Sequence, residues 1–393
     1  SLALGHFGVS RYVSVPLAAG ALIAMTATGG FRRWERFMYA FVVTNFIAIL
    51  LATLSHPQAG PIISHTLIPG VEGGVNSTAV LLIIAIVGTT VAPWQLFFQQ
   101  SNVIDKRITP RWINYERADT VIGSVVVILG AAALMVAAAF AFDGTRLHGQ
   151  FGDAGTVATA LSQTLGSTAG ALFAVALLNA AIIGAAAVTL ASSYAFGDVF
   201  RRPHSLHHGP RAARLFHGSF AVMVLLAAGI VLIQGAPLGT ITTAVQALAG
   251  VLLPSATVFL LLLCNDRAVL GPWINPTWLN ALASLIIGVL VVRSAILTAT
   301  TLFPSVNVTL LAAALFAALA AGLTAATIYV TRGKRTASAT AGSRETWTMP
   351  PLDLLDRATW SRTRTIGMAT LRGYLVIAVL MLIVKAIEVG AGH

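Results

Sequence analysis

Polar residues are clustered around a single proline within one apolar stretch of the sequence, 78–100. The cluster consists of two threonines, the proline and three glutamines: Thr89, Thr90, Pro93, Gln95, Gln99 and Gln100. Because proline has no N–H, the carbonyl of Thr89, four residues earlier, loses its partner in the helix. If the helix enters the membrane near Ala79, Thr89 lies roughly 15 Å deep, in the middle of a hydrocarbon core about 30 Å thick.

A carbonyl without a partner at that depth is costly unless another group satisfies it. Membrane transporters place such carbonyls at broken helices, where they bind cations. The alternative is a simple proline kink, in which a neighbouring helix or the Thr90 hydroxyl satisfies the carbonyl. The density of polar side chains around Pro93 favours the cation site.

The composition indicates a membrane protein. Of the 393 residues, 57% are hydrophobic and 9% are charged, whereas soluble domains carry about 25% charged residues. The mean hydropathy is +0.84. We therefore expect a polytopic membrane protein with one continuous domain rather than several soluble ones. The single cysteine, Cys264, excludes a disulfide within the chain.

Ten apolar segments are long enough, or nearly so, to span a bilayer. They are 12–28, 31–54, 78–100, 119–142, 169–198, 214–233, 238–264, 278–302, 306–331 and 366–388. Nineteen of the 24 lysines and arginines fall in the alternate loops 29–36, 101–118, 199–214, 265–277 and 332–365. The positive-inside rule therefore predicts that these loops are cytoplasmic. The location that we expect is the plasma membrane, as a multi-pass protein of a bacterial inner membrane. The charge of +11 follows from this topology, and we assign it no nucleic-acid partner.

Four stretches resemble the Nramp family of divalent-metal transporters in order and spacing. GTTVAPWQLFFQQS (88–101) is similar to the motif of the family's sixth helix, and GGFRRWERFMYAFVV (29–43) is similar to the junction of its fourth and fifth helices. LLNAAIIGAAAVTLASSYAFGDVF (177–200) and AVQALAGVLLPSATVFLLLLCNDRAVLG (244–271) resemble the eighth and tenth helices. The resemblance covers about 30–330 and implies an all-α membrane protein with the LeuT-type inverted-repeat transporter fold.

The resemblance also implies roles for individual residues. Thr89 falls where the family offers a backbone carbonyl to the metal, and Gln246 falls on the position of a metal-facing glutamine. Ala92 replaces a methionine that binds manganese or iron, and Trp94 replaces a histidine linked to proton movement. Thr89, Ala92 and Gln246 are thus the predicted metal site. Four further residues are predicted to line the path of the ion: Thr90, Pro93, Trp94 and Gln95.

The two replacements indicate the cargo. Methionine sulfur suits late transition metals, whereas oxygen ligands suit magnesium and manganese. A small side chain at Ala92 leaves room for a magnesium ion that keeps part of its hydration shell, and the A-P-W sequence resembles that of the Nramp-related magnesium transporters. Trp94 cannot take up a proton as the family's histidine does, and the resemblance to those magnesium transporters implies facilitated diffusion. The substrates expected are therefore Mg²⁺ and Mn²⁺; the alternative is an ordinary proton-coupled Mn²⁺/Fe²⁺ symporter. Trp94 in a purely packing role also remains open.

The acidic residues carry a further expectation. All thirteen lie in loops or near the ends of spans, although a cation site in a membrane normally needs an acid nearby. The family's aspartate on its first helix has no counterpart here. We therefore expect roughly a hundred further residues, with three helices and that aspartate, to precede this chain.

The chain is expected to consist of three regions. Residues 1–331 are the expected transporter core, 332–365 a cytoplasmic linker and 366–393 an additional transmembrane helix.

Without a deeply placed His, Asp or Glu, neither an intramembrane enzyme nor a bound cofactor is expected. The histidines of the loop 201–217 (His204, His207, His208 and His217) form either a metal-binding site or, as we favour, a solvated basic loop.

Overall fold

The computed structural model describes most of the chain and shows helices there. The described residues are 1–28, 30–68, 70, 83, 86, 90–146, 153–302, 306–332, 347–351, 354, 365, 367–377 and 380. Within these ranges the regular structure is helical and no strand occurs. The helices are α1 (Leu2–His6), α2 (Arg11–Ala27), α3 (Phe31–Thr44), α4 (Ile47–Leu54), α5 (Ala59–Leu67), α6 (Pro93–Asp105), α7 (Ile113–Phe142), α8 (Ala154–Leu165), α9 (Ser167–Val199), α10 (Arg214–Leu232), α11 (Leu238–Leu263), α12 (Arg267–Leu270), α13 (Thr277–Leu302) and α14 (Val308–Arg332).

The described helices agree closely with the predicted spans. Six helical stretches among them are long and apolar enough to cross a membrane: Phe31–Leu54, Pro110–Phe142, Ser167–Val199, Arg214–Leu232, Leu238–Leu263 and Thr277–Ile296. Two shorter apolar helices, Arg11–Ala27 and Leu310–Ala325, match two more of the predicted spans. Within the predicted span 78–100, residues 78–82, 84–85 and 87–89 lie outside the described residues. Of the predicted last span, 367–377 is helical.

The outward face of α7 is strongly apolar. Val121, Ile122, Ile128 and Met135 are each more than 60% exposed. In water, so continuous an apolar surface would favour association with another protein or a membrane. With six apolar stretches, the chain is a multi-pass membrane protein.

The chain divides into two compact units. Unit 1 comprises Ser1–Gly70 and Trp94–Ile241, and unit 2 comprises Val71–Pro93 and Thr242–His393. The chain therefore passes from unit 2 to unit 1 directly after Pro93.

In unit 1 the long helix α9 is central, because α2, α3, α4, α8 and α10 all pack against it. Many of its buried residues are small, including Ala169, Gly170, Ala174 and Ala186. Small residues let membrane helices approach closely. At Gly170, an added Cβ would lie 2.6 Å from the carbonyl oxygen of Ala158. The small residues of α9 thus determine how closely α8 and α9 approach each other.

Asn179 of α9 supports a break between α3 and α4. It is 2% exposed, and its amide donates to the carbonyl of Phe41 at 2.7 Å and to Asn45 Oδ1 at 2.5 Å. These hydrogen bonds attach α9 to the last turn of α3 and to Asn45 in the link, and they satisfy the buried Nδ2 group of Asn179, as a membrane interior requires.

Among the described residues, unit 2 contains α11 from Thr242 onward, α12, α13, α14 and the segment 367–377. Val251, Val292 and Ile296 form its buried apolar cluster, and Tyr374 packs against it. The Tyr374 hydroxyl donates to the carbonyl of Val251 at 2.8 Å and also contacts the Ser294 hydroxyl. The last helix predicted from sequence is thus joined by hydrogen bonds to α11 and α13.

Candidate functional site

The helix that carries the polar cluster is interrupted immediately before Pro93. Thr90 is still helical, Val91 and Ala92 are not, and α6 begins at Pro93. Proline is favoured at the first position of a helix because its missing N–H would have no helical partner there. The predicted interruption is therefore confirmed. Thr89, whose carbonyl is the predicted metal ligand, lies outside the described residues.

The Thr90 hydroxyl does not have the role considered in the alternative interpretation. It donates to the carbonyl of Ile86, four residues earlier, at 2.8 Å. The simple kink, in which this hydroxyl satisfies the carbonyl of Thr89, loses that support.

Ala92 stands in the non-helical link and is buried, with 4% of its surface exposed. Pro93 after it is half-buried. Because the neighbours close around a single methyl group, a longer side chain at this position would have to displace them.

Gln246 lies on α11, eight residues after its first residue, Leu238, and is half-buried. Pro254 lies inside the same helix, so the carbonyl of Gly250 loses its helical N–H partner. Gln246 belongs to unit 2, as do Thr90, Ala92 and Pro93. Trp94 and Gln95 belong to unit 1. The joint binding of one ion by these residues remains a prediction.

Trp94 belongs to a cluster of aromatic rings that joins α6 to α3 and α9. Its ring centroid is 6.1 Å from that of Phe98, which lies 6.0 Å from the Trp34 ring and 6.5 Å from the Tyr194 ring. Trp94 is half-buried. The packing role left open in the sequence is thus present, and an indole in this position has no basic nitrogen that could accept a proton.

One acid escaped the sequence interpretation. Asp105, the last residue of α6, is 7% exposed, although its place near a span end gave no sign of burial. Its carboxylate accepts hydrogen bonds from the Tyr194 and Ser205 hydroxyls and from the Leu206 N–H at 3.0 Å. The only hint in the sequence is an acid followed directly by basic residues at the end of an apolar helix.

The loop histidines hold the loop together. His207 Nε2 donates to the Asp105 carbonyl at 3.2 Å, and His217 Nε2 donates to the His208 carbonyl at 2.9 Å. His204 Nε2 lies 3.0 Å from Asp198 Oδ1. Across the described residues, no group of three or more His, Cys, Asp or Glu side chains could hold a metal ion. The prediction of a solvated loop does not hold for Leu206, which lies in the middle of the loop and is 1% exposed.

Comparison with known proteins places these features in a family. The family model described as "Natural resistance-associated macrophage protein-like", Nramp, matches residues 1–300. The chain belongs to the Nramp family. This match begins earlier and ends earlier than the region 30–330 in which the motifs were recognised.

Individual relatives agree with the family assignment. The chain is 30% identical over 274 residues to a protein named "Divalent metal cation transporter MntH" from Nostoc sp., which covers 67% of this chain and 60% of that protein. Proteins of the same name from Mesorhizobium japonicum and Staphylococcus aureus are each 26% identical, over 308 and 298 residues. The two matches cover 74% and 69% of this chain, respectively. The chain spans 66% and 64% of their lengths, just under two thirds.

Proposed function

We propose that the protein is a transporter of divalent metal cations and that the ion crosses at the interrupted helix before Pro93. The observation that carries this proposal is the interruption itself, in a member of a family whose relatives are named divalent metal cation transporters. At a helix break, backbone carbonyls are released from helical pairing and can replace water around a cation. The carbonyl of Thr89 and the side chain of Gln246 are the proposed ligands.

The proposed substrates are Mg²⁺ and Mn²⁺. Ala92 contributes no sulfur, and the remaining ligands offered by this chain are carbonyl and amide oxygens, which suit hard cations. Magnesium gives up its hydration water reluctantly, so part of its shell would stay on the ion. The proposed location is the inner membrane of a bacterium, since the relatives quoted above are bacterial proteins.

Transport by this protein does not couple to protons through residue 94. Trp94 has no titratable nitrogen and packs on Phe98. This favours facilitated diffusion over the proton-coupled symport of Mn²⁺ or Fe²⁺. Liposomes carrying a pH-sensitive dye separate the two, because symport acidifies the lumen during Mn²⁺ uptake and facilitated diffusion leaves the pH constant.

The test of the proposed site restores the missing N–H. In Pro93→Ala the helix can continue and pair with the carbonyl of Thr89, so uptake of Mg²⁺ and Mn²⁺ into liposomes should fall about tenfold or more, the factor given by losing one ion ligand. Pro110→Ala is the matched control, because Pro110 begins a separate short turn, Pro110–Trp112, and should leave uptake unchanged. Normal uptake by a folded Pro93→Ala protein would exclude the helix break as the ion site.

A further inference from the structure

The carboxylate of Asp105 joins three elements at the end of α6 opposite the helix break. A buried carboxylate is costly unless hydrogen bonds compensate for the lost water. Here the Tyr194 hydroxyl donates to Oδ2 and the Ser205 hydroxyl to Oδ1, while the Leu206 N–H donates to Oδ2 at 3.0 Å. We call Asp105, Tyr194, Ser205 and Leu206 the Asp105 clasp.

All three donors come from outside α6. Tyr194 lies on α9, and Ser205 and Leu206 lie in the loop between α9 and α10. The loop is itself anchored, because the Leu206 carbonyl accepts from the Gly30 N–H at 2.9 Å, at the start of α3. Hydrogen bonds to charged groups are the stronger ones, so the clasp fixes the end of α6 against α9 and this loop.

Two contacts of Lys106, the residue after Asp105, also attach the end of α6 to its neighbours. Lys106 Nζ is 3.3 Å from Glu35 Oε1 and 5.9 Å from the centroid of the Phe31 ring. Both partners lie on α3. Each side chain is partly exposed, so this ion pair adds little by itself, but it shows that α3 and α9 hold the same end of α6.

The buried face of α6 connects the clasp with the helix break. Trp94, Phe98, Ser101 and Asp105 recur three or four residues apart, the spacing that places side chains on one face of a helix. Ser101 is 9% exposed, and Phe98 packs against the core of unit 1. A straight helix of this length spans about 18 Å between its first and last residues, so a change of angle at Asp105 moves the first turn beside Pro93.

We propose that Asp105 is a positioning residue of the transport cycle: its clasp holds α6 in the conformation described here, and its release lets α6 move relative to α9. This inference rests on the proposed function for its place in transport. The clasp itself is a property of unit 1 and is measurable without any ion flux. Breaking it should free the buried face of α6 while the rest of unit 1 stays packed.

The experiment measures access to the buried face of α6 in the full-length protein. Cys264→Ser first removes the single native cysteine, and Ser101→Cys then introduces a thiol of similar size at the buried position. The rate of reaction with a water-soluble maleimide, measured in open membrane fragments, reports how often this face is exposed. Adding Asp105→Asn should raise that rate about tenfold, which corresponds to about 1.4 kcal/mol of lost restraint. Ser205→Ala, which removes one donor and threatens folding less, should raise the rate by a smaller factor.

Two controls test whether the change in labelling rate is specific to the clasp. Asp119→Asn makes the same chemical change at an exposed acid and should leave the rate unchanged. Ala137→Cys, buried at 1% exposure on α7, should stay protected in Asp105→Asn. Protection of Ser101→Cys in both clasp variants would overturn the proposal, and so would equal loss of protection at Ala137→Cys, because Asp105 would then hold only the fold.

The role in transport has its own readout. When Asp105 is intact, Mn²⁺ should change the labelling rate of Ser101→Cys, and in Asp105→Asn this response should disappear. In uptake measurements, Asp105→Asn should reduce the maximal rate by a larger factor than it changes the KM for Mn²⁺. If the clasp variants label faster but the parent takes up no divalent ion, the proposed function fails and the clasp stands. If uptake is intact and identical in parent and Asp105→Asn, the positioning role fails and the function stands.

Discussion

At the scale of single residues, we expect Ala92 to determine which ions the proposed site accepts. Methionine and leucine have similar volumes, but methionine alone offers a sulfur ligand. Ala92 is 4% exposed, so both substitutions crowd the link equally. Comparing them separates the effect of sulfur from the effect of volume.

We expect Ala92→Met to reduce Mg²⁺ transport and to strengthen competition by Cd²⁺, because cadmium prefers sulfur ligands and the thioether fills space that hydration water would use. Ala92→Leu should reduce Mg²⁺ transport to a similar degree without any gain in Cd²⁺ competition. The measurement is Cd²⁺ inhibition of Mg²⁺ uptake in liposomes. If Ala92→Met folds and keeps the parent's order of ions, another residue sets selectivity.

Gln246 is the second residue whose role a substitution can isolate. Gln246→Leu should weaken the apparent affinity for Mg²⁺ and Mn²⁺ roughly tenfold, since the loss of one neutral ligand or water-bridged hydrogen bond costs about 1–3 kcal/mol. Gln100→Leu is a matched control, because Gln100 is exposed on α6. Uptake kinetics equal to the parent's in a folded Gln246→Leu protein would assign Gln246 to packing.

At the scale of elements, the sequence predicted where helices run better than what joins them. Apolar runs located α9, α10, α11 and α13 to within one or two residues, because length and hydrophobicity alone determine a span. The interruption before Pro93 was also predictable, since proline removes a specific hydrogen bond. The burial of Asp105 was not, because its donors, Tyr194 and Leu206, are about ninety to a hundred residues away and no local pattern records such a contact.

Close packing between the end of α9 and the following loop gives the prediction for this scale. A Cβ added at Gly197 would lie 2.3 Å from the His204 Cβ, so Gly197→Ala should force the loop away and destabilise the protein by about 1–3 kcal/mol. Gly184→Ala is the control on the same helix, where an added Cβ meets nothing within 4 Å; it should be neutral or stabilise by up to about 1 kcal/mol. Thermal unfolding in detergent measures both, and equal stabilities would show that the loop does not rest on Gly197.

At the scale of the whole molecule, the residues predicted for the site are divided between the two units of the chain. Thr90, Ala92, Pro93 and Gln246 belong to unit 2, whereas Trp94, Gln95 and the Asp105 clasp belong to unit 1. Charge and hydropathy located the spans, and Pro93 located the break. Neither carried information on the division into units, which depends on contacts between distant helices. The LeuT-type repeat and the ion ligands therefore remain predictions from the family resemblance.

The orientation of the molecule is the broadest prediction. Loops that carry most lysines and arginines stay on the cytoplasmic side, because basic residues near span ends oppose translocation, and the loop 199–214 is among the most basic. Ala212 in this loop and Asp143 at the opposite end of the spans are both exposed. In a Cys264→Ser background, a membrane-impermeant maleimide added to intact cells should therefore label Asp143→Cys and leave Ala212→Cys unlabelled. Breaking the cells open should make Ala212→Cys reactive, which controls for its accessibility. Labelling of Ala212→Cys in intact cells, with Asp143→Cys protected, would place the loop 199–214, and with it the Asp105 clasp, on the outer side of the membrane.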